Sequence, residues 1–206
     1  MPAQPPAHDS YIHTFDYTPS QAEQEQNGLV FAQYLVDLGW SLNAVCGAFG
    51  NWQVECVMNT NLPQFSTYPS NLSGGFGLPH WTPWGERYKV WCDERNIENI
   101  GADDNPGCWL ENQIAYHDWE CENGHPGTGG ATWYANHGFS YTWEEFKVSA
   151  DPPDVLAEAY YWQYERSGAM DPGDRGNRAL TWYEFLTGKV IKRIPIWLLF
   201  NLKEVR

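Results

Sequence analysis

Positive charge is scarce in this chain. Its 206 residues carry 12 Lys and Arg against 26 Asp and Glu, a formal net charge of −14. Nucleic acids are bound through basic side chains that release condensed counterions, so a nucleic-acid partner is disfavoured. A run of about 20 apolar residues, the length that crosses a bilayer, is also missing. The opening "MPAQPPAHDS" has neither a basic start nor an apolar stretch, so no signal peptide is expected there. The five cysteines are an odd number in a chain read as unsecreted, which argues against a disulfide framework. Cys46 and Cys56 fall in one helical pattern, about 15 Å of rise apart, and cannot bridge without breaking that helix. Free thiols are expected.

Aromatic rings, by contrast, are abundant: 16% of the chain, with 12 Trp and 12 Tyr. Rings fill cores, and they also stack on the flat apolar faces of sugars and bases. With bases disfavoured by charge, a sugar or a protein surface remains as the ligand. An apolar content of 42% is that of a globular chain, long enough for one domain with a real core and a short appendage. Five of the basic residues (Lys189, Lys192, Arg193, Lys203, Arg206) cluster after residue 188, beside one acid, Glu204. An acidic body with a basic, apolar tail gives that tail its own job.

Three regions follow: a Pro-rich arm over 1–19, a domain over 20–187 and a basic apolar tail over 188–206. "SQAE" from Ser20 predicts a capped helix to about Leu38, ended by Gly39. Further helices are predicted from Trp84 to Asn96, Trp109 to Glu120, Thr142 to Lys147, Pro153 to Glu165 and Arg178 to Leu186. "GGFGLPHWTPWGER" predicts a short hairpin or irregular loop. The fold class expected is α+β, mostly helical, with a small irregular β element.

The second helix carries the chemistry. After Ser41, Leu42, Val45, Phe49, Trp52 and Cys56 recur every three or four residues, one buried stripe at helical period. Glu55 falls roughly 60° outside Trp52, on the shoulder of that stripe. A half-shielded carboxyl against apolar walls is what a general acid needs to keep its proton near neutral pH. Cleavage of a glycoside requires such a donor at the bridging oxygen. An exposed helix-end glutamate is the plain alternative.

The stretch "GNWQVE", followed by "GGFGLPHWT" and Arg87, resembles the phage tail lysozyme family, related in plan to goose-type lysozymes and lytic transglycosylases. Gly50, Asn51, Gln53 and Glu55 match its first motif; Phe76, Gly77, Leu78, Trp81, Thr82 and Arg87 match its second. "NQIAYHDWE" and "DVLAEAYYWQYERSG" are similar to later helices of the family, so the resemblance covers about 20–187. It implies a lysozyme-like domain with Glu55 as catalytic acid, and with Gln53, His80, Trp81 and Thr82 binding substrate. It also implies bacterial peptidoglycan as partner, cleaved at the β-1,4 bond between N-acetylmuramic acid and N-acetylglucosamine. Such an enzyme rides in the virion, in the phage tail, and acts on the host wall. Cys56 replaces the family's Ser, and His80 its Gln. A protonated His80 beside Glu55 would weaken a proton donor.

No second carboxylate comes with the resemblance. Glu165 and Glu86 are the available ones, and Glu165 followed by Arg166 also reads as an ion pair. Arg87, Trp133 and Tyr134 form a second tier, with Trp133, Tyr134, Trp81 and Trp84 equally readable as sugar platforms or as core. Neither metal nor cofactor is called for. His117, Cys121 and His125 recur every four residues, with Cys92 and Cys108 upstream, but match no common zinc module. A cysteine peptidase built on Cys46 and His137 lacks a helix N-terminus to favour the thiolate. The tail, too short to span a bilayer, is expected to dock on other phage tail proteins, or else to lie in a membrane interface or pack on its own domain. Two alternatives to the virion enzyme are a non-enzymatic wall-binding tail module and a diffusing endolysin.

Overall fold

The computed structural model describes residues 4–7, 10–11, 18–61, 74–79, 81, 83, 86–98, 106–124, 132–165 and 171–190. They form α1 (Gln21–Asp37), α2 (Leu42–Cys56), α3 (Tyr88–Glu94), α4 (Leu110–Asn123), α5 (Trp143–Val148), α6 (Pro153–Tyr160) and α7 (Arg175–Leu186). A 3-10 turn, Pro106–Cys108, precedes α4, and a π-helical turn, Tyr161–Glu165, extends α6.

Capping chemistry sets several starts. The Ser20 backbone N–H donates to the Glu23 carboxylate at 2.8 Å while Ser20 Oγ accepts from the Glu23 N–H. Thr142 and Glu145 repeat this reciprocal pair at α5, and Ser41 Oγ accepts from the Ala44 N–H ahead of α2. Two predicted boundaries move. α7 begins three residues before Arg178, and the last five residues expected as α-helix after Tyr160 wind as a π turn instead. A π turn inserts a residue into the helical register and re-aims the side chains that follow. The expected β element shrinks to two isolated antiparallel bridges among the described residues, Phe76–Trp81 and Asn136–Phe139.

α2 is the central helix and packs above all on α6 and α7. Val45, Phe49, Trp52 and Cys56 are fully buried, as the stripe requires, while Leu42 is only partly covered. A second cluster gathers Phe76, Trp81, Tyr88, Trp91, Cys92, Cys108 and Tyr116 between the glycine-rich loop, α3 and α4. The Pro-rich arm is tied down at one point. Tyr11 packs edge-on against Phe31, with ring centroids 5.4 Å apart, and its hydroxyl accepts the Leu110 N–H at 2.9 Å. No helix among the described residues is long and apolar enough to cross a membrane. Residues 191–206, and the docking expected of them, lie outside the described residues.

Candidate active site

The motif on α2 divides into packing and chemistry. A Cβ on Gly50 would stand 2.4 Å from the Arg175 carbonyl oxygen and 3.1 Å from Ala179, so the missing side chain is what lets α7 approach. Asn51 Nδ2 donates to the carbonyls of Gly47 and Ala157, both at 3.0 Å, pinning α6 to α2. Gln53 donates to Gln24 Oε1 and accepts from Trp182 Nε1, each at 3.2 Å, joining α1, α2 and α7. It lines a groove of about 510 Å³ with Gln24, Val57, Trp182 and Phe185, and Glu55 is not among the walls. Gln53 and Glu55 point roughly 200° apart around the helix, so they do not meet.

Glu55 closes the motif. Its side chain keeps 21% exposure, and Oε1 accepts a hydrogen bond from Arg175 Nη2 at 2.5 Å. The apolar-walled acid expected from the helix pattern is thus a salt-bridged carboxylate with a guanidinium for one wall. The wheel could place Glu55 on the shoulder of the stripe, but not see which side chain α7 would set against it. Arg175 is itself nearly buried. Its Nη1 donates to the Pro172 carbonyl at 3.0 Å, and its Cζ lies 4.8 Å from the centre of the Tyr161 ring.

Glu165 ends the π turn. Part of the residue is open, yet Oε1 is buried and accepts no hydrogen bond among the described residues. Burial pushes its carboxyl well above the ordinary 4.5, and the negative charge of Glu55 pushes the same way; Arg175 and Arg87 oppose both without reversing them. The two carboxyls therefore act on each other, and Glu165 is the one that keeps a proton at neutral pH.

The second motif anchors this turn. Gly77 has φ of +80°, a conformation that glycine adopts without strain, and the Leu78 N–H donates to Gln113 Oε1 at 3.0 Å. Gln113 also donates to the Thr60 carbonyl, tying the loop to the chain that leaves α2. Trp81 is fully buried, stacks on Tyr88 and donates from Nε1 to the Tyr164 hydroxyl at 2.8 Å. Tyr164 donates to Glu120 Oε2 at 2.7 Å, and Arg87 Nε donates to Glu120 Oε1 at the same distance. Burial opposes the charge of Glu120, but Arg87 and the hydroxyls of Tyr116 and Tyr164 hold its carboxyl below the usual 4.5.

Several expected substrate contacts are therefore structural. Trp81 is core, because its indole N–H ties the loop to the residue before Glu165. Arg87 is the cation of a buried ion pair. Trp133 is buried, with Nε1 donating to the Tyr141 carbonyl. Tyr134, at 44% exposure, is the ring of this group left on the surface. His80, Thr82, Trp84 and Arg166 lie outside the described residues.

The competing readings fare as follows. No group of three or more metal-binding side chains occurs among the described residues, and His125 lies outside them. His117 is buried between Cys121, whose sulfur is 3.2 Å from Nδ1, and the Tyr160 hydroxyl, 2.5 Å from Nε2. Cys46 is buried in α2, where desolvation raises its thiol pKa, and His137 instead stacks on Trp162 at 3.6 Å. Nothing couples the two into a nucleophile and base. Sequence reasoning missed Arg175, because the helix start was placed at Arg178. The "DPGD" turn before it, with Asp174 next to the first helical residue, carries the signal.

A helical domain whose central helix ends in a carboxylate, with a Gly-aromatic loop tied to the same site, defines a lysozyme-like protein. The family described as phage tail lysozyme matches residues 26–186. The chain belongs to that family, as the two motifs implied. It is also 31% identical over 170 residues to "Morphogenesis protein 1" of Bacillus phage B103. That alignment takes in 82% of this chain and 42% of the relative, so the chain spans less than half the length of the protein it matches.

Proposed function

We propose that this protein is a virion-associated, tail-borne enzyme that cleaves the β-1,4 glycan bond of bacterial peptidoglycan between N-acetylmuramic acid and N-acetylglucosamine, opening the host wall at infection. The observation that carries this reading is the carboxyl pair Glu55 and Glu165, facing each other electrostatically at the end of the family's motif helix. Glycoside cleavage needs one carboxyl to deliver a proton to the leaving oxygen and one negative group to stabilise the oxocarbenium-like centre. Hydrolysis and intramolecular transfer to a 1,6-anhydro product begin with the same proton delivery.

The acidic body fits delivery by a particle. A freely diffusing enzyme of charge −14 gains no long-range attraction to an anionic wall, whereas tethering supplies local concentration. Zymography on purified peptidoglycan tests the reading: wild type clears and Glu55→Gln clears at least about a hundredfold less. Equal clearing by both proteins removes it in favour of a non-enzymatic wall-binding module. Mass spectrometry of the released muropeptides separates hydrolysis from the anhydro route.

A further inference from the structure

We propose that Arg175 is a positioning residue that divides the labour of the two carboxyls, holding Glu55 as the carboxylate and leaving Glu165 as the proton donor. This rests on the glycan-cleaving reading above and names which group does what within it.

Three geometric facts carry the proposal. Arg175 Nη2 meets Glu55 Oε1 at 2.5 Å, the short approach of a charge-assisted hydrogen bond. The guanidinium is fixed from behind by the Pro172 carbonyl and the Tyr161 ring, so it holds Glu55 from a set direction. Glu165 Oε1, by contrast, is buried with no donor among the described residues, which strongly disfavours a bare carboxylate and favours O–H. The charged and titratable groups around Glu165 come from every neighbouring element: Glu55 and Cys56 on α2, Arg175 on α7, Arg87 before α3, Glu120 on α4 and Tyr160 on α6. Both cations have nearer carboxylate partners, Glu55 for Arg175 and Glu120 for Arg87. Neither is left to ionise Glu165.

In the reaction the Glu165 O–H passes its proton to the bridging oxygen as the C1–O bond breaks, its electron pair going to that oxygen. The Glu55 carboxylate faces the positive charge growing at C1. In hydrolysis, water then bonds to C1 and its proton returns to a carboxylate of the pair.

The test uses substrates that differ in their need for an acid. On peptidoglycan, Glu165→Gln and Glu55→Gln each lose at least about a hundredfold in kcat. On a muramyl oligosaccharide bearing a dinitrophenyl leaving group, which departs without protonation, Glu165→Gln recovers most of its rate and Glu55→Gln does not. Arg175→Lys keeps near wild-type pH dependence, whereas Arg175→Gln moves the whole pH–rate profile upward by about one unit or more, because a cation has left two carboxyls. Recovery of Glu55→Gln in place of Glu165→Gln reverses the roles and overturns the proposal. So does an Arg175→Gln profile that is scaled down but unmoved. Should Arg175→Gln not fold, carboxyl 13C titration of the wild type decides: the carboxyl protonated at neutral pH must be Glu165, and finding it at Glu55 overturns the assignment. Failure of wild type to cleave any glycan removes the parent reading instead, a separate result.

Discussion

The carbonyl oxygen of Arg175 occupies the space a side chain at Gly50 would need, 2.4 Å from where its Cβ would stand. One missing methyl group therefore lets α7 settle against α2, and the same residue that makes the backbone contact sends its guanidinium to Glu55. Gly50→Ala meets backbone, which cannot rotate away. The variant is expected to lose about 1–3 kcal/mol of stability and more of its activity than unfolding explains. Thermal unfolding and zymography of one preparation check this; unchanged activity in a destabilised protein would sever the link between α7 placement and the site.

Glu165 should trade stability for function. Its folded carboxyl stays protonated well above 4.5, where the unfolded one ionises, so above that pH the unfolded chain binds fewer protons. Stability due to this group is intact below about 4.5 and declines as pH rises. Glu165→Gln is therefore expected to unfold at a higher temperature than wild type at pH 7, with the gain vanishing near pH 4. A gain independent of pH would contradict the buried-acid assignment.

His117 should set part of the acid limit of the fold. Burial lowers its pKa from 6.5 to about 4, against the raising pull of Glu120 and Asp118. Between those values the unfolded chain takes up a proton that the folded one refuses, so stability falls as pH drops from about 6.5 to 4. The whole span amounts to about 3 kcal/mol. Glu120, depressed below 4.5, adds its own loss only at lower pH. Urea unfolding at pH 7, 5.5 and 4.5 should show a steady decrease, and a flat response would mean that His117 is solvated.

Arg87 should matter to folding before chemistry. It is the cation of a largely buried pair with Glu120, and removing one partner strands a buried charge. Arg87→Met is expected to cost about 3–5 kcal/mol, and Arg87→Met with Glu120→Leu to recover part of that. The double-mutant cycle in chemical denaturation reads it directly.

The thiols should be silent. All five cysteines are free and buried, and burial raises the pKa of Cys46, Cys56, Cys92 and Cys121. Ellman's reagent is expected to find no reactive thiol in the native protein and five after denaturation. Cys46→Ala should clear peptidoglycan as wild type does; loss of clearing, with new free amines, would revive a cysteine peptidase.

Local rules made much of this protein legible in its sequence: the capping boxes at Ser20 and Thr142, the span of α2, its buried stripe, and Glu55 on the shoulder of that stripe. Each depends on residues within a few positions of one another, where helical period and capping act. The two motifs also carried the family. What the chain alone did not reveal was which motif residues face a ligand and which face protein. Asn51, Gln53, Trp81 and Arg87 look like substrate contacts in a list of residues, yet each spends its polar groups on another helix or loop. The neighbour of Glu55 is Arg175, 120 positions away, and the proton falls to Glu165 because a π turn buries its carboxyl. Those choices depend on charges and burial contributed by distant segments, and only folding brings them within range.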